Sequence, residues 1–413
     1  MDRPAHASHP FAYLVLIVPF GMMSGYLTVA LAYLLSKAGL SVEQVGTLVA
    51  VSFVPHTWKF LWAPIVDTTL RRRTWYVLGA LLSAAGIFAS GAVPATSAAL
   101  PLLTVVVVVS YVAVTFLAMA VESLMAYSTP DHEKGRAAGW FQAGNLGGSG
   151  IGGGAGLWMA QALPAPWMAA AVLAAVCVLC CAALPFVAEP PLVHRAKRWG
   201  RVLAEVGQDL WSVARARGGY LALLICFLPI GSGAASGLWS AVADDWHASA
   251  ATVALATGIF SGVVSAVGCI VGGFLCDRLD RKTAYGLYGL LLAAAAVGMA
   301  IAPRTEWMYI VFTTAYSFIS GLCYAAFSAV VLEAIGLGAA ATKYSLFSSL
   351  SNMPIAYMTL VDASAHTRWG VNGLLLADAA AGILGLLVFL ALARASRPPG
   401  EAPKALRGGP SIP

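Results

Sequence analysis

The sequence predicts an all-α membrane protein with twelve transmembrane helices in two pseudo-symmetric six-helix bundles. Composition, the number of long apolar runs and an internal duplication predict this fold class. Hydrophobic residues make up 60% of the 413 residues and charged residues only 10%, whereas soluble domains carry about 25% charged residues. A soluble protein of this length could not cover its surface with so few charges. Because a membrane helix needs about 20 apolar residues, the hydrophobic residues suffice for about twelve spans.

Twelve apolar runs of spanning length are separated by short turns rich in Pro, Gly or charged residues. We number them span 1 to span 12, and six fall in each predicted bundle, 1–187 and 219–393. A linker, 188–218, joins the bundles, and residues 394–413 form a predicted cytoplasmic tail. The runs lie near 11–36, 44–66, 74–93, 100–127, 137–160, 167–187, 219–243, 250–276, 284–302, 308–334, 343–363 and 369–393.

Apolar residues recur at helical spacing in the linker, with charged residues between them. This pattern predicts an amphipathic helix that lies on the inner face of the membrane and joins the two bundles. The apolar positions are Trp199, Val202, Leu203, Val206, Leu210 and Val213.

Internal repetition indicates that the second bundle is a duplicate of the first. Three unrelated features of the first bundle recur 210 or 211 residues later. Any one match could arise by chance, but agreement of three within one residue favours duplication. The pairs are Pro19 and Pro229, Asp67 and Asp277, and Glu122 and Glu333.

The distribution of Lys and Arg predicts the orientation of the chain. Cationic loops resist translocation and stay in the cytoplasm. With both termini placed inside, 20 of the 24 Lys and Arg fall in inner segments, three fall outside, and Lys59 lies within a span. We therefore expect both termini to be cytoplasmic.

Composition also argues against other classes of protein. The formal charge of +6 arises without the basic and aromatic pattern of a nucleic-acid reader, so we expect no nucleic-acid partner. All seven Cys fall in apolar runs, where a thiol acts as a small hydrophobe, and no His stands at ligand spacing from them, so we expect no metal and no cofactor. A membrane enzyme or a scaffold is the alternative from another class. The seven His are scattered, and the loops leave no room for a soluble domain.

The most specific motif runs from Gly273 to Lys282, in the turn after span 8. Glycine allows close approach of helices, and the acidic and basic side chains can bridge helix ends and interact with their dipoles. A degenerate counterpart runs from Ala63 to Arg73, after span 2. The alternative is that these charges only enforce topology. The candidate gating residues are Asp67, Arg71, Arg72, Gly273, Asp277, Arg278, Arg281 and Lys282.

This motif resembles the loop signature of the major facilitator superfamily. The segments Lys59–Asp67, Gln142–Gly156 and Ala341–Leu350 resemble those of the peptide, acetyl-coenzyme A and drug transporter group, which includes AmpG-like muropeptide permeases and some siderophore permeases. The resemblance implies a multi-pass secondary transporter of the bacterial inner membrane. In one departure, Glu122 stands alone in span 4, where that group usually carries an acidic pair.

The glycine-rich run Gly147–Gly156 could suggest a phosphate-binding loop, but it lacks the Lys-Ser/Thr ending and lies inside span 5. Small residues at four-residue spacing instead favour close packing between helices. The run also lacks the proline of the signature found in many drug/proton antiporters, which favours import or facilitated exchange.

Ionisable residues within spans are the leading functional candidates, because each costs about 2.5–3.5 kcal/mol at a helix centre unless it is paired or hydrated. Lys59 lies eight residues before Asp67, and Glu122 lies eight residues before Pro130. At 1.5 Å per residue both sit about 12 Å inside the cytoplasmic boundary, so they could pair. Such a pair either binds substrate or a proton in the central cavity, or is a fixed ion pair that stabilises its bundle.

Three further acidic residues lie in the second bundle. Glu333, in span 10, has a depth similar to that of Glu122 and is expected either to play the mirrored role or to reach the interface. Asp378, near the middle of span 12, is expected to form a structural pair. Asp362, near the outer end of span 11, is expected to reach interfacial water.

Polar and aromatic residues on the expected cavity helices predict a site for a small amphipathic organic solute rather than a bare ion. We therefore expect a monomeric secondary active transporter that works by alternating access in contact with membrane lipid, with protons as a candidate coupling ion. A drug or metabolite exporter of the same fold is the alternative. The candidate substrate-binding or coupling residues are Lys59, Glu122, Glu333, His56, Gln142, Asn145, Trp239, Tyr324 and Asn352.

Overall fold

The computed structural model describes residues 9–189, 199–336 and 339–396, and the regular elements in these ranges are all helices. Span 1 is one helix, Phe11–Lys37, with a π-helical stretch at Tyr26–Leu31. The other helices of the first bundle are Val42–Trp58, Lys59–Leu61 and Ala63–Thr68 in span 2, Arg72–Ala92 in span 3, Leu100–Ser128 in span 4, Lys134–Gly150, Ile151–Ala155 and Gly156–Ala162 in span 5, and Pro166–Leu179 and Cys180–Phe186 in span 6.

The second bundle repeats this order of helices. Spans 11 and 12 follow each other without a connecting loop. The helix is interrupted between them only at Gly370, whose φ is +67°. The helices are Arg217–Phe227, Ala234–Leu238 and Ala243–Trp246 in span 7, Ala250–Thr257 and Ile259–Cys276 in span 8, Arg281–Ile301 in span 9, Glu306–Ile335 in span 10, and Ala340–Leu350 and Asn352–Ala395 in spans 11 and 12.

Span 7 departs from the prediction of a continuous run over 219–243. Its α-helix ends at Phe227, and only short 3₁₀ turns follow. Pro229 lacks a backbone N–H, and Gly231 and Gly233 adopt φ of +61° and +70°, which is incompatible with a right-handed helix. The outer part of span 7 is therefore irregular.

Eight helices in the described residues are long and apolar enough to cross a membrane. The count becomes nine if the pair Gly207–Arg215 and Arg217–Phe227, bent by 90°, is taken as one span. One of the eight, Ala340–Ala395, contains both span 11 and span 12. Span 2 is interrupted near Lys59, so its pieces are short by themselves. Each of the twelve predicted runs nevertheless contains a helix.

The helix predicted in the linker runs from Trp199 to Arg215. The preceding residues 190–198 lie outside the described residues, as does the predicted tail from residue 397 onwards. The Asp209 carboxylate of this helix lies 3.4 Å from the ammonium group of Lys343, at the start of span 11. The linker helix is therefore tied to the second bundle by an ion pair.

Spans 5 and 8 lie against each other along most of their length, which brings the two bundles together. A Cβ atom at Gly139 would lie 2.6 Å from the carbonyl oxygen of Cys269 and 2.9 Å from the Cα of Gly273. A Cβ atom at Gly262 would lie 3.0 Å from the Cα of Gly150. The small residues of the glycine-rich run therefore serve helix packing, as their spacing predicts.

The outward faces of spans 3 and 12 carry large apolar side chains that are exposed in the protein. Exposed apolar surface of this extent is stable only in contact with another apolar phase. In a membrane protein this phase is lipid. Examples are Leu78, Leu81, Leu82 and Phe88 in span 3, and Leu384 and Leu387 in span 12.

Gly139→Ala tests the close packing between spans 5 and 8. The added methyl group has no space beside Cys269 and Gly273, so we expect a loss of about 1–3 kcal/mol and a lower midpoint of thermal unfolding in detergent. Gly147→Ala is the matched control, because its Cβ would lie 3.6 Å from the nearest atom, the Cβ of Ala266. Equal midpoints for the two variants would contradict this packing.

Candidate functional site

Lys59 and Glu122 form a buried ion pair. The break in span 2 places Lys59 on the 3₁₀ turn Lys59–Leu61, facing the middle of span 4. Its ammonium nitrogen lies 2.6 Å from Glu122 Oε1, and each residue is 2% exposed. The second carboxylate oxygen of Glu122 accepts a hydrogen bond of 3.2 Å from the hydroxyl of Ser345 in span 11. One carboxylate therefore connects spans 2 and 4 of the first bundle to span 11 of the second.

Aromatic rings surround the buried ion pair on the side of span 1. The Lys59 ammonium lies 5.8 Å from the ring centroid of Phe20, and the Phe20 ring stacks on His56 at 4.6 Å. His56 also contacts the rings of Phe53 and Tyr111. Its buried Nε2 has no hydrogen-bond partner among the described residues. The imidazole therefore places a nitrogen without a hydrogen bond among aromatic rings.

A second polar network joins the bundles beside the buried ion pair. Gln142 donates to the Ser328 hydroxyl at 2.6 Å, and Asn145 donates to the side-chain oxygen of Gln142 at 3.0 Å. The hydroxyl of Tyr344 donates to the same Ser328 oxygen at 3.0 Å. Spans 5, 10 and 11 are thus connected through neutral side chains.

Two other predicted residues line a cleft of the second bundle. Tyr324 and Asn352 border an open cleft between spans 7, 9, 10 and 11. Trp239 is not part of this lining, because the irregular chain after Phe227 buries it against Tyr316, with ring centroids 5.1 Å apart. The structure therefore places Tyr324 and Asn352 together and Trp239 elsewhere.

The shift of 211 residues suggested that Glu333 could be the counterpart of Glu122. In the structure its contacts differ from those of Glu122. Its carboxylate is about two-fifths exposed and binds Arg281 and Lys282, each at 2.9 Å. The structural counterpart of Glu333 is Ser123, 210 residues earlier, whose hydroxyl accepts a hydrogen bond from Arg72. In each bundle, the cation after the loop motif thus binds the same position of the fourth helix.

Asp67 and Asp277 each cap a helix of the opposite bundle. Asp67 accepts from the backbone N–H groups of Ala341 and Thr342, at 3.1 and 2.9 Å, where the first helix of span 11 begins. The Thr342 hydroxyl donates to it at 2.8 Å. A carboxylate at a helix N-terminus satisfies free N–H groups and interacts favourably with the helix dipole.

Asp277 repeats this arrangement in the opposite direction. It accepts from the backbone N–H groups of Gly135 and Arg136, at 2.8 and 3.1 Å, where the first long helix of span 5 begins. The Arg136 side chain also binds it at 2.9 Å. The pair of reciprocal caps closes one end of the interface between the bundles, and we call this end the capped end.

The remaining predicted gating residues surround the capped end. Arg72 is buried with its guanidinium 4.9 Å from the Tyr127 ring. Arg281 also donates to the backbone carbonyl of Asp131, in the loop between spans 4 and 5. The side chains of Arg71 and Arg278 are exposed. The cations of the two motifs thus differ in burial although they are related by duplication.

The residues of span 11 that donate hydrogen bonds to Glu122 and Asp67 were not identified from the sequence. Ser345 and Thr342 lie in the segment Ala341–Leu350, which carries the family resemblance, but the sequence pattern does not indicate their contacts. The repeat gave no signal for Thr342, because it lies 206 rather than 210 residues after Arg136 and differs from it in type. In the described ranges, no group of three or more His, Cys, Asp or Glu side chains is placed to hold a metal ion.

A helical fold of two joined bundles, with buried charges and reciprocal caps at their interface, defines a membrane transport protein. The sequence matches the family model of the Major Facilitator Superfamily over residues 13–236 and 221–412. The chain therefore belongs to this superfamily. Membership places it among transporters rather than enzymes.

Solved structures confirm the predicted fold class. The Escherichia coli fucose:proton symporter FucP aligns with a TM-score of 0.72 and 16% identity, over 93% of this chain and 98% of that one. The proton:xylose symporter XylE aligns with a TM-score of 0.65 and 14% identity, over 93% and 96%. The human organic anion transporter MFSD10 aligns with a TM-score of 0.63 and 17% identity, over 92% of this chain and 97% of that one. No curated protein matches the chain in sequence.

Lys59→Met tests the energetic importance of the buried ion pair. Removing one partner of a buried pair leaves an uncompensated charge, which costs about 3–5 kcal/mol, whereas replacing both by apolar residues is close to neutral. We therefore expect Lys59→Met to lower the thermal unfolding midpoint and Lys59→Met with Glu122→Leu to restore most of it. Lys134→Met is the control, because its partner Asp131 is exposed and such pairs contribute at most about 1 kcal/mol. A double variant no more stable than Lys59→Met would argue against direct pairing.

Asp277→Ala tests the reciprocal caps. We expect the capped end to open more often, because two backbone N–H groups and Arg136 lose their shared acceptor. The thiol of Cys276, 1% exposed, then reacts faster with maleimide, as followed by peptide mass spectrometry. Asp280→Ala is the control, since Asp280 caps its own helix through Thr283 at 2.9 Å. Equal labelling in both variants would show that Asp277 does not hold this end closed.

Proposed function

We propose that the protein is a secondary active transporter that moves a small amphipathic organic solute by alternating access and couples this movement to protons at Glu122. The observation that carries the proposal is the position of the Glu122 carboxylate. It binds Lys59 of its own bundle and Ser345 of the other bundle, away from water. A change in its charge therefore acts on the interface between the bundles.

The coupling follows from the cost of a buried unpaired charge. A proton on Glu122 neutralises the carboxylate and leaves the Lys59 ammonium without its counter-ion in a low-dielectric site. The ammonium then needs water or an acceptor group of the solute, and either requires the bundles to separate at this level. Loss of the proton restores the pair and favours the closed interface.

The capped end is the gate whose opening and closing the charge of Glu122 would control. Its closure depends on two carboxylates that bind backbone N–H groups across the interface. When the bundles tilt apart, water replaces the protein donors of both carboxylates, so that the net cost is only about 1.5–3 kcal/mol for each hydrogen bond to a charged group. Such a gate closes with a defined geometry and still opens during each transport cycle.

Transport of an organic solute is supported by the groups between the bundles. Gln142, Asn145 and Tyr344 offer neutral hydrogen-bonding groups, and the cleft beside Tyr324 and Asn352 adds apolar walls. This mixture of a few polar groups on apolar surface suits an amphipathic ligand. The similar structures are of a fucose symporter, a xylose symporter and an organic anion transporter. The sequence motifs add muropeptides, siderophores, acetyl-coenzyme A and peptides as classes to screen.

The location we propose is the bacterial inner membrane, with both termini and the capped end on the cytoplasmic side. The bias of Lys and Arg towards the loops of this end supports this orientation. We also propose that the two bundles, 1–187 and 219–393, move as units and that a single chain is sufficient for transport.

Glu122→Gln tests the coupling role in liposomes that contain the purified protein and the ligand that gives the largest thermal shift in a screen of these solutes. Glutamine keeps the hydrogen-bonding shape but cannot exchange a proton. We therefore expect at least a tenfold loss of uptake driven by a pH gradient, with solute exchange at equal pH retained. Glu333→Gln is the control, since this carboxylate binds Arg281 and Lys282 within its own bundle. Proton-driven uptake that survives in Glu122→Gln would rule out coupling at this residue.

A further inference from the structure

A second pair of carboxylates lies in the other bundle, away from the buried ion pair. Asp362 is 0% exposed and Asp378 is 7% exposed. They stand eight residues before and eight residues after Gly370, where the chain turns from span 11 into span 12. At 1.5 Å per residue, both lie about 12 Å from the turn, at the same depth of one helical hairpin.

The two carboxylates differ in their partners. Asp378 Oδ2 accepts a hydrogen bond of 3.0 Å from the hydroxyl of Tyr316 in span 10. Neither oxygen of Asp362 has a hydrogen-bond partner in the part of the chain that the structure describes. Its burial contradicts the expectation that it reaches interfacial water. A buried carboxylate that accepts no hydrogen bond is costly in its charged form.

In the described ranges, no cation pairs with the Asp362 carboxylate. The groups within electrostatic reach are Asp378 from span 12 and Tyr316 from span 10. His366, one turn further along span 11, is partly exposed. Arg304 instead lies 4.0 Å from the centre of the Trp246 ring and binds Asn372.

Span 7 contributes an unused hydrogen-bond donor to this cluster. The indole Nε1 of Trp239 is buried and has no partner among the described residues. The Trp239 ring stands edge-on to Tyr316, with centroids 5.1 Å apart. Trp239 lies in the irregular outer part of span 7, where packing rather than a continuous helix holds the chain. The cluster therefore connects spans 7, 10, 11 and 12.

We propose that Asp362 binds a proton and that Asp362, Asp378 and Tyr316 form a second proton-binding site, separate from Glu122. Two neighbouring carboxylates in a site of low dielectric cannot both ionise at a low cost, so one of them keeps its proton. Asp378 is the ionised member because the Tyr316 hydroxyl stabilises its charge. Asp362, without a donor, is the protonated member.

This site links proton release to the outer part of span 7. When Asp362 loses its proton, two like charges face each other beside Tyr316 and Trp239. The charges are relieved if water enters, which requires Trp239 and its short helical turns to move. Proton occupancy of Asp362 thus favours the packed arrangement of span 7 seen in the structure.

The test is infrared spectroscopy of the purified full chain in detergent, which does not depend on a transport assay. We expect a carbonyl-stretch band of a buried carboxylic acid at neutral pH, lost in Asp362→Asn and shifted but retained in Asp378→Asn. Asp244→Asn is the matched control, because this carboxylate is exposed near the same end of the second bundle. Asparagine has nearly the shape of a protonated Asp362, so its thermal midpoint is expected to equal or exceed that of the wild type.

Three results would overturn the proposal. The band could be absent from the wild type, or it could persist unchanged in Asp362→Asn. It could also be removed by sodium chloride but not by choline chloride, which would assign the site to sodium. Each result leaves the role of Glu122 untouched, since Glu122→Gln is assayed by flux.

Discussion

The arrangement of the two bundles depends on the cost of placing Glu122 in an apolar interior. A carboxylate that is 2% exposed is stable only with a counter-charge and further hydrogen bonds. The chain supplies the counter-charge from its own bundle, at Lys59, and a hydrogen bond from the other bundle, at Ser345. On the proposed function, a change in the charge of Glu122 would therefore act on the contacts between the bundles.

The rest of the interface is compatible with repeated opening. Glycines in spans 5 and 8 allow helix backbones to meet directly, so few large side chains have to repack when the bundles tilt. The reciprocal caps by Asp67 and Asp277 fix the relative position of the bundles through backbone N–H groups. The contacts between the bundles are therefore close backbone approaches at glycines together with directional hydrogen bonds at the caps.

The sequence predicted well those features that are properties of a single helix. Hydrophobic run length gives the helices, and the constant helical rise gives the common depth of Lys59 and Glu122. The position of Glu333, for which the sequence left a mirrored role and an interfacial position open, shows the limit of this reasoning. A shift of 211 instead of 210 residues turns a side chain by about 100° around its helix, so Glu333 faces Arg281 and Lys282 rather than the other bundle. Depth alone does not determine which face of a helix a residue occupies.

Contacts between bundles could not be predicted in this way. Ser345 and Thr342 acquire their roles only when span 11 lies against spans 2 and 4. Trp239 is buried against Tyr316 because Pro229, Gly231 and Gly233 end the helix of span 7 early and the chain that follows is irregular. The burial of Asp362 follows from the packing of span 11, which its sequence position does not give. Helix-breaking residues were visible in the sequence, but the packing of the broken segment depends on spans 10, 11 and 12 together.

The most direct measurement of the central claim is the distance between the bundles at the capped end as a function of pH. Spin labels at the exposed positions Arg71 and Arg278, in a background without the native cysteines, report this distance by double electron–electron resonance. The account predicts a short distance at neutral pH and a longer one in acid, with Glu122→Gln showing the longer distance at both. A distance that changes neither with pH nor with this substitution would show that the charge of Glu122 does not control the interface.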